Sequence, residues 1–251
     1  MKLAFTHGCA ALALLIATPI AAQTKISPAI KTALADSGRP EKDVARDAAR
    51  HPGEMLTFAG IKPGMNVADF MMGGGYFTPI LAKTVGPKGH VYAYQAAEFI
   101  KFRPAYGDEQ KAAVTGYANV TPLNMGLAEI AFPAPLDAII TVQNYHDLYL
   151  SFGGPDFAQK VTKRLYDSLK PGGVLLVVDH VANTDPEFKA PNTIHRIDPA
   201  AARTAIEKAG FKYAGSSPLL VDAADPHTAN VFDPSIRGKT DQFIFLFKKP
   251  K

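Results

Sequence analysis

Short apolar segments alternate with amphipathic segments over most of the chain. Seven segments have the composition of strands, and they lie at 66–70, 89–95, 119–124, 136–144, 174–180, 211–220 and 241–249. Segments with helical spacing of apolar residues separate most of them, at 76–86, 99–117, 155–173 and 199–211. Strands that alternate with helices predict a doubly wound α/β fold, in which a mostly parallel sheet carries helices on both faces.

Both ends of the chain depart from this alternation. The last two strands follow each other without a helix between them, which predicts an antiparallel last strand. Before the first strand, Pro40 sits well at a helix start and Pro52 interrupts the helical segment. We therefore predict a helical lead-in over 23–65 and one seven-stranded domain over 66–251.

The first 22 residues have the pattern of a secretory signal peptide. Lys2 precedes an apolar run, and the small residues Ala21 and Ala22 follow it. This pattern predicts an exported protein, with the periplasm as its location, although an uncleaved anchor or a misassigned start would look similar. Cys9 is the only cysteine, so a mature chain would lack disulfides, cysteine nucleophiles and thiolate metal ligands.

The charge of the chain does not favour a nucleic-acid partner. The formal net charge is +4 over 251 residues, and the basic residues are scattered except in the terminal "KKPK". The apolar run of the signal segment is too short to span a membrane comfortably. We expect a small-molecule substrate and no membrane contact after signal cleavage, and the sequence leaves the oligomeric state open.

A cluster of three glycines follows the first strand, in "VADFMMGGGYFT" at 67–78. In an α/β fold such a turn places backbone amides at the edge of the sheet where ligands bind. A triphosphate loop would need Lys after its last glycine, but Tyr76 follows Gly75. A dinucleotide loop would need a third glycine where Thr78 stands. A tight turn without a ligand is the remaining alternative.

This stretch resembles the first motif of the class I, Rossmann-like S-adenosylmethionine-dependent methyltransferases. In that motif an acidic residue ends the first strand, and glycines follow at the second, fourth and sixth places. Counted from Asp69, those places are Met71, Gly73 and Gly75, so two of the three match. The resemblance implies S-adenosylmethionine as cofactor, with candidate binding residues Asp69, Gly73, Gly74, Gly75, Tyr76, Thr78, Gln95 and Asn144.

The resemblance extends from about residue 40 to 248 and includes departures. The family's second strand usually ends in an acid that binds the ribose, whereas here it ends in Gln95, with Glu98 nearby. Leu127 stands near the family's adenine-binding acid, and Glu129 is the closest carboxylate in sequence. The segments "QNYHDLY", "HRIDP" and "IRGKTDQFIFLFKKP" resemble a group of exported bacterial proteins described as predicted methyltransferases.

Candidate catalytic residues follow the fourth strand, beside the glycine loop. His146 is the candidate base, because an unperturbed imidazole takes up protons near neutral pH. Asp147 could orient it or bind a cation, and Tyr145 is the third candidate. Asn144 and Asp147 could instead cap the next element.

Further polar residues follow the fifth strand. Asp179, His180 and His195 could converge with His146 and Asp147 on a metal, but the sequence sets no geometry, and no metal is assigned. Arg196 could bind an acidic substrate or cap a helix with Asp198. The polar loop at 222–241 could be a lid, although a packed loop without a ligand is the favoured interpretation.

Two other functions remain compatible with the sequence. One is a methyltransferase-like protein that binds a small ligand without catalysis, and the other is a nicotinamide-dependent oxidoreductase. Export favours the first, because S-adenosylmethionine is made in the cytoplasm. The glycines and the polar end of the fourth strand favour an enzyme that transfers methyl groups to an unidentified small molecule.

Overall fold

A computed structural model describes residues 25–251, so the predicted signal peptide and Cys9 lie outside the described residues. The strands are β1 Asn66–Phe70, β2 His90–Tyr94, β3 Val120–Leu123, β4 Leu136–Val142, β5 Leu169–His180, β6 Lys212–Ser217 and β7 Gln242–Lys248. They form one sheet in the order β3-β2-β1-β4-β5-β7-β6. β7 is antiparallel to both of its neighbours, and the strands from β1 to β5 are parallel. The predicted seven-stranded, mostly parallel sheet with an antiparallel last strand is confirmed.

Ten α-helices surround the sheet in the described part of the chain. They are α1 Pro28–Leu34, α2 Glu41–Val44, α3 Asp47–Arg50, α4 Pro52–Phe58, α5 Phe77–Val85, α6 Ala97–Phe102, α7 Ala105–Val114, α8 Phe157–Ser168, α9 Ala190–Ile194 and α10 Pro199–Lys208. The helix expected over 99–117 is two helices, because Pro104 interrupts it. The helix expected to reach Gly173 ends at Ser168, and β5 begins at Leu169.

Side chains alternate along the central strands between two apolar clusters, one on each face of the sheet. On β1, Val67 belongs to one cluster and Ala68 to the other. The lead-in contributes to the Val67 side, where Ile30 and Leu56 are fully buried against the sheet and α5. The lead-in helices therefore complete one face of the domain. None of the helices within residues 25–251 is long and apolar enough to cross a membrane.

Candidate functional site

The order of the strands reverses between β1 and β4, and the carboxyl ends of these two strands lie side by side. In doubly wound folds this switch point is where ligands bind. Two non-glycine residues here have left-handed backbone angles, Met71 with φ +55° and Gln143 with φ +63°. Such angles cost roughly 1–2 kcal/mol per residue and concentrate at functional sites. The structure thus places backbone strain on both sides of the switch point.

Met71 stands at the first glycine place of the motif, and its left-handed angle shows why glycine is usual there. Its side chain is almost fully buried in the core, so packing offsets part of the backbone cost. The Asn144 side chain donates from Nδ2 to the Met71 carbonyl over 2.6 Å. Asn144, predicted to contact a cofactor, therefore ties the end of β4 to the glycine loop. The departure from the motif leaves the loop's conformation intact.

Gln95 also holds the glycine loop. The Gly73 N–H donates to Oε1 of Gln95 over 2.9 Å, so this oxygen already has a partner on the loop. Glu98 is occupied as well, because its carboxylate accepts from the Leu127 N–H at 3.0 Å. Leu127 itself is fully buried in the core. Gln95 and Glu98 are therefore both engaged within the protein in this conformation.

The glycines of the loop serve different purposes. Gly73 has φ +57°, and a Cβ placed there would meet nothing within 4 Å, so the backbone at this position is open to a ligand. Gly75 has φ +82°, and a Cβ there would lie 2.4 Å from Cβ of Ala113 on α7. The absence of a side chain at Gly75 therefore makes room for α7, and its predicted contact with a cofactor stays a prediction. Gly74 is exposed, near Glu109.

Replacing Gly75 by alanine should therefore destabilise the fold more than replacing Gly73. Gly73→Ala is expected to cost about 1 kcal/mol, from the left-handed backbone alone. Gly75→Ala adds an overlap with α7 and should cost about 2–4 kcal/mol in total. Urea unfolding of both variants measures the difference. Equal losses would contradict the assignment of Gly75 to helix packing.

Three other predicted cofactor residues are engaged within the protein. The Thr78 hydroxyl donates to Asp69 over 2.7 Å, and both side chains are buried. Burial raises the pKa of Asp69 to about 6, although the bond from Thr78 opposes this shift. The Tyr76 hydroxyl donates to Asp47 of the lead-in over 2.5 Å. Their predicted contacts with a cofactor stay a prediction.

Arg50 of the lead-in reaches this edge of the sheet, although no sequence motif marks this residue. Its guanidinium lies 4.4 Å from the centre of the Tyr76 ring and donates to Gln143 over 3.2 Å. Nε of Arg50 is buried and has no hydrogen-bond partner within the described residues. Burial lowers the pKa of Arg50 to about 10, which still leaves it charged at neutral pH. Arg50 therefore brings a charged group with one unpaired donor to this edge of the sheet.

A second cluster lies where β4 and β5 end. Asp179 is fully buried and accepts two bonds from His146, one from the backbone N–H at 2.7 Å and one from Nδ1 at 2.8 Å. The other ring nitrogen of His146, Nε2, lies 3.3 Å from Oδ1 of Asp147. The ring of His195 is centred 5.6 Å from that of His146. The structure thus brings His146 and Asp147 together with Asp179 and His195, the convergence considered from the sequence.

The carboxylates change the protonation of His146. Burial lowers its pKa, but the charges of Asp179 and Asp147 outweigh burial and raise the pKa to about 9. Burial raises the pKa of Asp147 to about 6. His146 is therefore protonated at neutral pH in the ligand-free protein. The role of His146 as the base, expected from the pKa of an unperturbed imidazole, stays a prediction.

The side chains of two further candidates, Tyr145 and His180, are hydrogen-bonded to other side chains of the protein. Tyr145 is completely buried, and its hydroxyl lies 2.9 Å from the Thr162 hydroxyl on α8. The structure therefore does not support Tyr145 as a catalytic residue. His180 is bonded through Nδ1 to Thr240, 2.7 Å away, and its ring is centred 6.2 Å from that of His146.

Arg196 does not face a substrate. Its side chain is fully buried in a two-bond ion pair with Asp225 of the polar loop, at 2.8 and 3.1 Å. Asp198 alone caps α10, accepting from the Ala200 N–H over 2.8 Å. The ion pair anchors the 222–241 loop, which agrees with the interpretation of this segment as a packed loop.

The sheet order, the antiparallel β7 and the glycine loop at the switch point together define the class I methyltransferase fold. A solved S-adenosylmethionine-dependent methyltransferase from Aquifex aeolicus has this fold, with a TM-score of 0.58 and 22% identity over 87% of this chain and 96% of that one. The cyclase SpnF has it too, with a TM-score of 0.58 and 15% identity over 86% and 85% of the two chains. The fold alone therefore does not fix the reaction.

The curated sequence relatives that the chain matches are named as methyltransferases. The protein-L-isoaspartate O-methyltransferase of Hyperthermus butylicus is 30% identical over 144 residues, which cover 52% of this chain and 51% of that enzyme. This chain spans about half the length of the curated relatives it matches. No protein-family model matches the chain.

Proposed function

We propose that this protein transfers a methyl group from S-adenosylmethionine to a small-molecule acceptor. The observation that carries the proposal is the strained, glycine-bearing switch point with a polar His–Asp cluster beside it on the same edge of the sheet. Its relatives are named as methyltransferases, which supports the same reaction.

The open backbone at Gly73 and the unpaired donor of Arg50 are the features that fit the cofactor. Gly73 and Gly74 offer a surface without side chains, next to Gln95 and Asn144. The buried guanidinium of Arg50 can pair with the carboxylate of the cofactor's amino-acid part. S-adenosylmethionine supplies an electrophilic methyl group when bound. The chain's own task is to align donor and acceptor and to exclude water.

The cluster of His146, Asp147 and His195 is the proposed acceptor side of the site. Asp179 fixes the ring of His146 through its bond with Nδ1, so the opposite ring nitrogen, Nε2, faces Asp147. The acceptor itself is not identified by this arrangement. An isoaspartyl peptide is a reasonable first compound to assay, because the curated relatives carry that name.

Calorimetric titration tests the proposal. The full chain is titrated with S-adenosylmethionine, S-adenosylhomocysteine and the nicotinamide dinucleotides. Binding of the first two supports the proposal, and no binding of either at millimolar concentration would contradict it. Binding without methyl transfer to any acceptor would favour the alternative of a ligand-binding protein. Binding of a nicotinamide dinucleotide alone would favour an oxidoreductase.

A pair of alanine variants locates the cofactor on the glycine loop. Gly73 and Gly116 both have positive φ, at +57° and +87°, and a Cβ at either position meets nothing within 4 Å. Their backbone costs should therefore match. Gly73→Ala is expected to weaken S-adenosylhomocysteine binding by about 10-fold, because the added methyl group occupies the ligand surface. Gly116→Ala should bind as the unchanged protein does, and equal weakening in both variants would argue against a ligand at the loop.

We also propose that residues 1–22 direct export to the periplasm. The proposal rests on the signal-peptide pattern alone. Expression of the full chain in a bacterium, followed by fractionation and N-terminal sequencing, tests it. A processed chain in the periplasmic fraction supports export, and an unprocessed chain in the cytoplasm contradicts it.

A further inference from the structure

We propose that His146, Asp147 and His195 form a binding site for a first-row divalent transition-metal ion. One ligand atom from each of these three residues lies within 4.8 Å of the other two. Metal binding by these residues is a separate property from the proposed methyl transfer, and it can be measured without cofactor or acceptor.

The spacing suits a metal of the size of Zn²⁺. Metal–nitrogen and metal–oxygen bonds of about 2.0–2.2 Å place neighbouring ligand atoms roughly 3–4 Å apart. Nε2 of His146 and Oδ1 of Asp147 already have that separation, 3.3 Å. His195 needs only a small inward shift to complete the set, since all three ligand atoms fit within 4.8 Å.

Asp179 supplies the outer hydrogen bond that histidine ligands of metals commonly have. It accepts from Nδ1 of His146 over 2.8 Å, which fixes the ring and directs Nε2 toward Asp147, and a bound metal ion would take the place of the Nε2 proton. Asp179 is fully buried and also accepts from the backbone N–H groups of His146 and His180. The carboxylate is therefore held rigidly. Together Asp147 and Asp179 bring two negative charges to a site for a doubly charged cation.

His195 is held in place by its surroundings. It has a left-handed backbone, φ +53°, at the end of α9. Its ring packs edge-on against Phe232, with centres 5.0 Å apart. The loop that carries Phe232 is bonded to the end of α9 through the Val231 N–H and the Ile194 carbonyl. The polar loop at 222–241 thus positions one ligand.

Two imidazoles and one carboxylate are the donor set of many Zn²⁺, Fe²⁺ and Mn²⁺ sites. Three protein ligands leave at least one coordination position open. An oxygen or nitrogen atom of a small molecule could occupy that position. This open position would distinguish the site from a purely structural metal site.

The test uses the untagged full chain after treatment with a chelator. Zn²⁺ and Co²⁺ are titrated by calorimetry, and Co²⁺ is also followed by its visible absorption bands. We expect one ion per chain with a dissociation constant of micromolar or below. His195→Asn should weaken binding by at least about 10-fold; asparagine tolerates the left-handed backbone, so the variant should fold. Asp179→Asn should weaken it by about 10- to 100-fold, as expected when an outer carboxylate is lost.

His90→Gln is the matched control, because His90 lies at the opposite edge of the sheet at the start of β2 and contacts Thr121. It should bind metal as the unchanged protein does. The proposal is overturned if the unchanged chain binds no ion at micromolar concentration. It is also overturned if His195→Asn, shown to be folded by circular dichroism, keeps full affinity. These results do not depend on the cofactor titration, so the two proposals can fail separately.

Discussion

Replacing Asp225 by alanine is expected to destabilise the folded protein by about 3–5 kcal/mol, because it leaves the buried guanidinium of Arg196 without its counter-charge. Neither side chain of the pair is exposed to solvent. Asp225 also accepts from the backbone N–H groups of His227 and Asp241 over 3.0 and 2.8 Å. Its loss therefore leaves one buried charge and two backbone donors unpaired. Urea unfolding of the two proteins at pH 7 measures the loss.

Two further variants separate the unpaired charge from other causes. Asp233→Ala removes an aspartate of the same loop whose contacts with Ser235 are exposed, so it should cost less than about 1 kcal/mol. The double variant Arg196→Met/Asp225→Leu removes both charges and should be more stable than Asp225→Ala. If the double variant were the less stable of the two, the unpaired charge would not be the main cost.

The same ion pair predicts a pH dependence. Burial alone would raise the pKa of Asp225, but the bonds from Arg196, His227 and Asp241 outweigh burial and hold the pKa below its ordinary value of 3.8. Because the pKa of Asp225 is lower in the folded protein than in the unfolded chain, its ionised carboxylate stabilises the fold at pH values above 3.8. This stabilisation is lost as the pH falls through the pKa of the folded state. The difference in stability between the protein and Asp225→Ala should therefore be constant from pH 5 to 7 and shrink below about pH 4.

The sequence predicted the sheet well because each strand is a local pattern with turn residues at its ends. β4 and the 174–178 part of β5 are nearly continuous apolar runs, as buried parallel strands are. Helix ends were less accurate, as at Ser168, because Leu169 pairs with Leu136 of β4, so β5 begins before a proline and two glycines, where the register of the pairing shifts. Strand pairing is a tertiary effect that local propensity does not contain.

Residue roles at the site were harder to predict because they depend on which face a side chain occupies. Tyr145 and His146 are neighbours in sequence, yet one contacts α8 and the other Asp179. Gly75 matched the motif, but the close contact that requires glycine is with Ala113. Arg50 lies 19 residues before Asp69 in a segment without a recognisable motif, and only the packing of α3 brings it to the strand ends.

The lead-in arginine should be decisive for cofactor binding. Arg50→Met is expected to weaken binding of S-adenosylhomocysteine by at least about 30-fold, the equivalent of about 2 kcal/mol, which is the lower range for loss of one partner in a buried charge pair. The reason is the charge of Arg50 beside the switch point, where its guanidinium donates to Gln143 and its Nε has no partner within the described residues. Calorimetry of both proteins measures the change.

Arg46→Met is the matched control for charge. Arg46 also lies over the Tyr76 ring, at 5.4 Å, but its side chain is 52% exposed. If net charge alone mattered, ligand binding would weaken equally in both variants. That result would contradict a direct role for Arg50. A second ligand refines the test: 5′-methylthioadenosine lacks the amino-acid carboxylate, so Arg50→Met should bind it as the unchanged protein does.

The stability of the ligand-free variant separates a binding role from a folding role. Arg50 makes no ion pair within 4.0 Å to a carboxylate of residues 25–251, and burial lowers its pKa to about 10, so its charge is held at a cost. Methionine keeps the apolar contact with Tyr76 without that charge. Arg50→Met should therefore be at least as stable as the unchanged protein, within about 1 kcal/mol, while losing the ligand. If Arg50→Met is unfolded and does not bind the ligand, Arg50 serves the packing of the lead-in. If the variant is stable and keeps full affinity, the carboxylate of the cofactor binds at another residue.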